Sequence, residues 1–104
     1  MTVKLVGGQV QVQVDSGRSK GLWVVEREAE GWTVSRLEPI DELASRTIGE
    51  WSIPVGTKPS ELASALADLL GIRRARALLK RMAELATDDE LAWGTVNEAH
   101  RILR

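Results

Sequence analysis

The sequence predicts an α+β domain: a small antiparallel sheet of about five strands in the N-terminal half, packed with three short helices in the C-terminal half. Three observations carry this. Apolar and polar residues alternate with period two in the first half, and turn residues interrupt the alternation. From Pro59 onward the apolar residues recur at helical spacing instead. The connections between the first four strand-like runs are too short to carry crossover helices, which disfavours a parallel arrangement. Residues 1–104 thus read as one domain, β-rich over 1–56 and helical over 57–104.

Val3–Val6 and Gln9–Val14 flank Gly7-Gly8, which suits a two-residue hairpin loop. Pairing Val6 with Gln9 sets Leu5 opposite Val10 and Val3 opposite Val12, so the apolar residues share a face and Lys4 and Gln11 share the other. Asp15–Gly21, DSGRSKG, is polar and glycine-flanked, hence a loop. Leu22–Arg27 and Trp32–Leu37 form a second hairpin around EAEG. Closing it at Arg27–Trp32 puts Trp23, Val25, Trp32 and Val34 on one face and Leu22, Val24 and Leu37 on the other. Such a pair is covered on both sides, or covered on one and sticky on the other. Glu38–Ser45, EPIDELAS, reads as one or two helical turns opened by Pro39, and Trp51, Ile53 and Val55 as a last short strand. Pro54 cannot donate to a ladder, so that strand belongs at an edge.

Leu62, Leu66, Leu69 and Leu70 mark the apolar stripe of a first helix, opened by Pro59 and stopped by Gly71. Ala75, Leu78, Leu79, Met82 and Leu85 mark the stripe of a second, and Arg73, Arg74, Arg76, Lys80 and Arg81 lie on the arc opposite, with Ala77 and Glu84 between them. The two stripes would close on each other as a helical hairpin or a helix-turn-helix. Thr87-Asp88-Asp89-Glu90 is a capping box for a third helix, whose stripe is Ala92, Val96, Ala99 and Leu103. Gly94 within it costs about 1 kcal/mol relative to alanine.

Composition narrows the function classes. A formal charge of −1 shows no global basic excess of the kind that nucleic-acid binding favours. The absence of cysteine removes disulfides, thiolate metal sites and thiol catalysis. No apolar run is long enough to span a bilayer, and MTVKLVGGQVQV lacks a signal-peptide pattern, so the expectation by elimination is a soluble, cytoplasmic protein without a membrane partner.

Catalytic chemistry has few candidates. His100 is the one histidine and lies off the apolar stripe of its helix, so no triad or histidine metal site can be built on it. Asp88, Asp89 and Glu90 are accounted for by capping, and Glu26, Glu28 and Glu30 by a solvated hairpin edge. The Gly17–Gly21 loop does not match a phosphate-binding loop, and no helix follows it. Trp23, Trp32 and Trp51 read as core rings in a chain without Phe or Tyr, although tryptophan on a sheet can also stack single-stranded bases; Trp93 reads as packed between the last helix and the sheet. The expectation is a protein that is not an enzyme and takes no cofactor or metal.

The basic arc is the candidate binding surface: Arg73, Arg74, Arg76, Lys80 and Arg81. Guanidinium groups suit carboxylate and phosphate oxygens. With Ala67 four residues before Gly71, residues 59–82 resemble a helix-turn-helix, which implies nucleic-acid contact through the second helix. The match departs at Ala77 and Lys80, where such motifs carry branched apolar residues. The primary expectation is a small interaction module that binds a protein partner, an acidic surface or a second copy, through the basic helix face or a sheet edge. The alternative is a nucleic-acid-binding regulator.

Overall fold

A computed structural model describes residues 2–54, 56–87 and 90–103, with the backbone alone for 90–92. Strands β1 (Thr2–Val6), β2 (Gln9–Val14), β3 (Gly21–Glu28), β4 (Gly31–Pro39) and β5 (Ser45–Pro54) form one antiparallel sheet in the order β1-β2-β3-β4-β5. Helices α1 (Pro59–Leu70), α2 (Ile72–Leu85) and α3 (Glu90–Ile102) follow. The architecture is the α+β arrangement the alternation predicts.

The first two hairpins pair as their turn residues dictate. Val6 faces Gln9, Leu5 faces Val10 and Val3 faces Val12. Arg27 faces Trp32, Val25 faces Val34 and Trp23 faces Arg36. Gly31 closes the second turn with φ at 137°, and its missing side chain matters twice over. A Cβ there would collide with the Ile53 carbonyl, because β5 passes directly alongside. Only glycine admits both the turn and the neighbouring strand.

The core joins one face of the sheet to the helices. Val10, Val12, Val14, Trp23, Val25, Trp32, Val34 and Ile53 meet Leu62, Leu66, Leu70, Leu78, Leu79, Met82, Val96 and Ala99 in a single cluster. The three helices pack against one another, and α2 lies over β1 and β2. The other face of the sheet, with Leu22, Val24 and Leu37, stands outside that cluster. Val24 is nonetheless buried, flanked across the strands by Gln11 and Ser35. Among the described residues the sheet is therefore covered on one side.

The β2–β3 loop is clipped to the fold. Ser19 Oγ donates to Leu69 O at 2.8 Å, and Trp23 Nε1 donates to Ser19 O at 2.8 Å. The Arg36 guanidinium donates from Nη2 to Lys20 O at 2.6 Å and to Arg18 O at 3.0 Å. It also lies 5.3 Å from the centre of the Trp23 ring, which stacks on Trp51 at 5.4 Å. The loop is a structural clip whose carbonyls are occupied by an arginine.

The third hairpin and two of the tryptophans need correction here. Residues 38–45 form no helical turn: β4 continues to Pro39, Ile40–Ala44 make a five-residue tip, and β5 begins at Ser45. The Asp41 carboxylate accepts the backbone N–H groups of Leu43 and Ala44, each at 2.8 Å, and so favours a turn over helix nucleation. Below the tip, Arg46 pairs with Glu38 across the strands at 2.7 Å. The last strand is accordingly not short but ten residues long, with Ile48 as an extra residue between the Arg36–Gly49 and Leu37–Thr47 pairs. Val55 lies outside the described residues.

Trp93 is the second correction. It is 43% exposed on α3 and does not pack between that helix and the sheet. Trp23 and Trp32 are core rings, whereas Trp51 remains 37% exposed.

Candidate partner-binding site

Helix α2 explains where its basic residues go. Its apolar stripe of Ala75, Leu78, Leu79 and Met82 is fully buried, which turns the basic arc outward. Gly71 alone separates α1 from α2. Its N–H donates to Ala67 O at 2.7 Å and its carbonyl accepts Ala75 N–H at 2.9 Å, so one residue ends the first helix and begins the second. A helix-turn-helix joins its helices through a turn of three or four residues. This junction is tighter.

The structure divides the five basic residues by role. Arg74 is half-buried and donates from Nη1 to Leu70 O at 3.3 Å, satisfying a carbonyl at the end of α1. Arg81 is paired with Glu84 at 2.9 Å, one helical turn along the same surface. Among the described residues, Arg73, Arg76 and Lys80 have neither a hydrogen bond nor an ion pair to a carboxylate.

Those three line a groove between α2 and α3 of about 580 Å³, together with Ala77, Ala83, Asn97 and His100. The floor of the α2 wall is small-chained, which leaves room for a docked side chain. Asn97 and His100 supply the α3 side of the lining. Trp93, Asn97 and His100 stand at positions i, i+4 and i+7, so the exposed tryptophan belongs to the same stripe of α3. Among the described residues the groove has no carboxylate in its lining.

The position of Arg73 on the helix sharpens the electrostatics. It sits with Arg74 in the first turn of α2, which holds no acidic residue. The N-terminal end of a helix carries roughly half a positive charge, so two arginines there oppose the macrodipole and raise the local potential further. Helix stability alone would favour the opposite sign at these positions. The arrangement concentrates positive charge at a cost to the helix that displays it.

Sequence reasoning found the cations but not the groove, because Asn97 and His100 join it only through the packing of α3 on α2. Asp88 and Asp89, which the sequence assigns to a capping box, lie outside the described residues. Among those described, no group of three His, Asp or Glu side chains could hold a metal ion. Among the described residues no helix is long and apolar enough to cross a membrane. No family model, curated protein or solved structure matches the chain.

Proposed function

We propose that this domain is a non-catalytic interaction module that captures an acidic partner protein in the α2–α3 groove. The observation that carries the reading is the convergence of Arg73, Arg76 and Lys80, unpaired among the described residues, over Ala77 and Ala83. Carboxylates entering the groove would meet guanidinium and ammonium donors already held on a rigid helix, while apolar parts of the same segment would rest on the alanines. The concave shape and the one-residue α1–α2 junction support a protein segment over duplex nucleic acid, into which a recognition helix must project.

The test is fluorescence anisotropy with a labelled glutamate-rich peptide at low ionic strength. The wild-type chain should bind, and affinity should fall as salt screens the contacts. Arg73→Glu/Arg76→Glu/Lys80→Glu should abolish binding, whereas Arg74→Gln and Arg81→Gln should each leave it within about threefold, since neither residue lines the groove. Random duplex DNA serves as the rival probe. Tighter binding to DNA than to the peptide, with a steep salt dependence lost on the same reversal, would replace this reading with nucleic-acid recognition.

A further inference from the structure

The strongest further candidate is the tip of the β4–β5 hairpin. Strand β5 is ten residues long, and only Ile53 on it is buried. The hairpin therefore runs as an arm beyond the helical cover and ends in Ile40–Ala44. Leu43 at the tip is 99% exposed and Ile40 is 62% exposed. Beside them stand Asp41 and Glu42, and Arg46 below the tip is paired with Glu38. Two exposed apolar side chains on a carboxylate-bearing tip form the chemical complement of the groove.

We infer that the occupant of the α2–α3 groove is the β4–β5 tip of a second copy of this chain, an inference that rests on the reading of the groove as a site for acidic protein segments. Leu43 and Ile40 would fill the space over Ala77 and Ala83, and Glu42 would meet Arg73, Arg76 or Lys80. Charge complementarity on the molecule itself argues for this. A chain with a net charge of −1 keeps a cationic groove on its helices and an acidic, apolar tip on its sheet. The tip is preorganised: Asp41 accepts two backbone N–H groups, and Ile40 N–H donates to Ala44 O at 3.0 Å. Little further ordering is required on docking. The exposure of Leu43 places the tip outside its own groove, so the contact is between molecules. Each copy offers one tip and one groove, so reciprocal engagement closes a two-fold dimer and one-way engagement builds a chain.

Sedimentation velocity of the full chain, from micromolar to millimolar concentration at low salt, tests this. The wild type should self-associate in a concentration-dependent and salt-sensitive manner. Glu42→Lys/Leu43→Ser, which spares the turn-forming Asp41, should weaken association more than about tenfold, and so should Arg73→Glu/Arg76→Glu/Lys80→Glu. Mixing the two variants pairs an intact groove with an intact tip, so a complex should form where neither variant associates alone. A wild-type chain that stays monomeric yet still binds the glutamate-rich peptide would overturn the self-association alone. Loss of peptide binding as well would remove the groove reading beneath it. Association that persists in both variants would assign the contact to another surface and also overturn the inference.

Discussion

Gly71 and Gly94 are both glycines of the helical layer, and the structure assigns them opposite consequences. Gly71 adopts φ 87° and ψ 156°, a region closed to residues with a side chain, although a Cβ there would meet no atom within 4 Å. The cost of Gly71→Ala is thus backbone strain alone, about 1–3 kcal/mol, and should appear as a lowered thermal midpoint. Gly94 lies inside α3 without a positive φ, and a Cβ there would again meet nothing within 4 Å. Gly94→Ala should therefore stabilise the domain by about 0.5–1 kcal/mol. A drop in midpoint for Gly94→Ala would contradict the helix at that position. Arg73 separates binding from stability in the same way. Arg73→Glu places a favourable sign at the positive end of α2 and should leave stability unchanged or raise it by up to about 1 kcal/mol, while weakening capture of acidic peptide. A residue of merely structural value would lose both together. Gly71 is readable in the sequence because a leucine stripe stops at it and a new stripe begins one residue later. Trp93 is misread for a physical reason: the rule that large rings go inside overrides the helical period, which sets Trp93 off the buried line of Val96 and Ala99 and in line with Asn97 and His100.

At the scale of elements, α2 is two-sided, and its sides should respond differently to substitution. Leu79 is fully buried in the cluster that links helices to sheet. Leu79→Ala should cost about 2–5 kcal/mol in chemical denaturation, the range for a buried leucine whose cavity cannot collapse. Lys80→Ala, its exposed neighbour, should change stability by less than about 0.5 kcal/mol. Equal effects at the two positions would contradict the orientation of the helix. The first two hairpins were fully readable, register included, because Gly-Gly and Glu-Ala-Glu-Gly punctuate runs whose alternation allows one pairing. The third hairpin was not. Its connecting residues, EPIDELAS, favour helix or turn when taken alone, and β5 owes its first half to pairing with β4 rather than to its own pattern. The single carboxylate of Asp41 decides the turn, and its partners are backbone groups that no spacing rule announces.

At the scale of the molecule, the layers account for the cationic groove between α2 and α3. The sheet gives one face to the core, α2 lies across β1 and β2, and α3 packs alongside to complete a groove with residues from two helices. The cationic half of that groove was readable as an arc on one helix. Its other wall was not, since helix–helix packing is fixed by the whole core. Free cations on one surface and carboxylates on another also make long-range attraction a property of the whole chain. Binding of acidic segments should accordingly weaken severalfold or more between low ionic strength and 0.15 M, where the Debye length is about 8 Å. The most direct test of the groove is a backbone-amide NMR titration of the full chain with a glutamate-rich peptide. The account predicts shift changes concentrated on Arg73–Ala83 and Asn97–His100, absent in Arg73→Glu/Arg76→Glu/Lys80→Glu. Shifts confined to the sheet, or none at low salt, would contradict it.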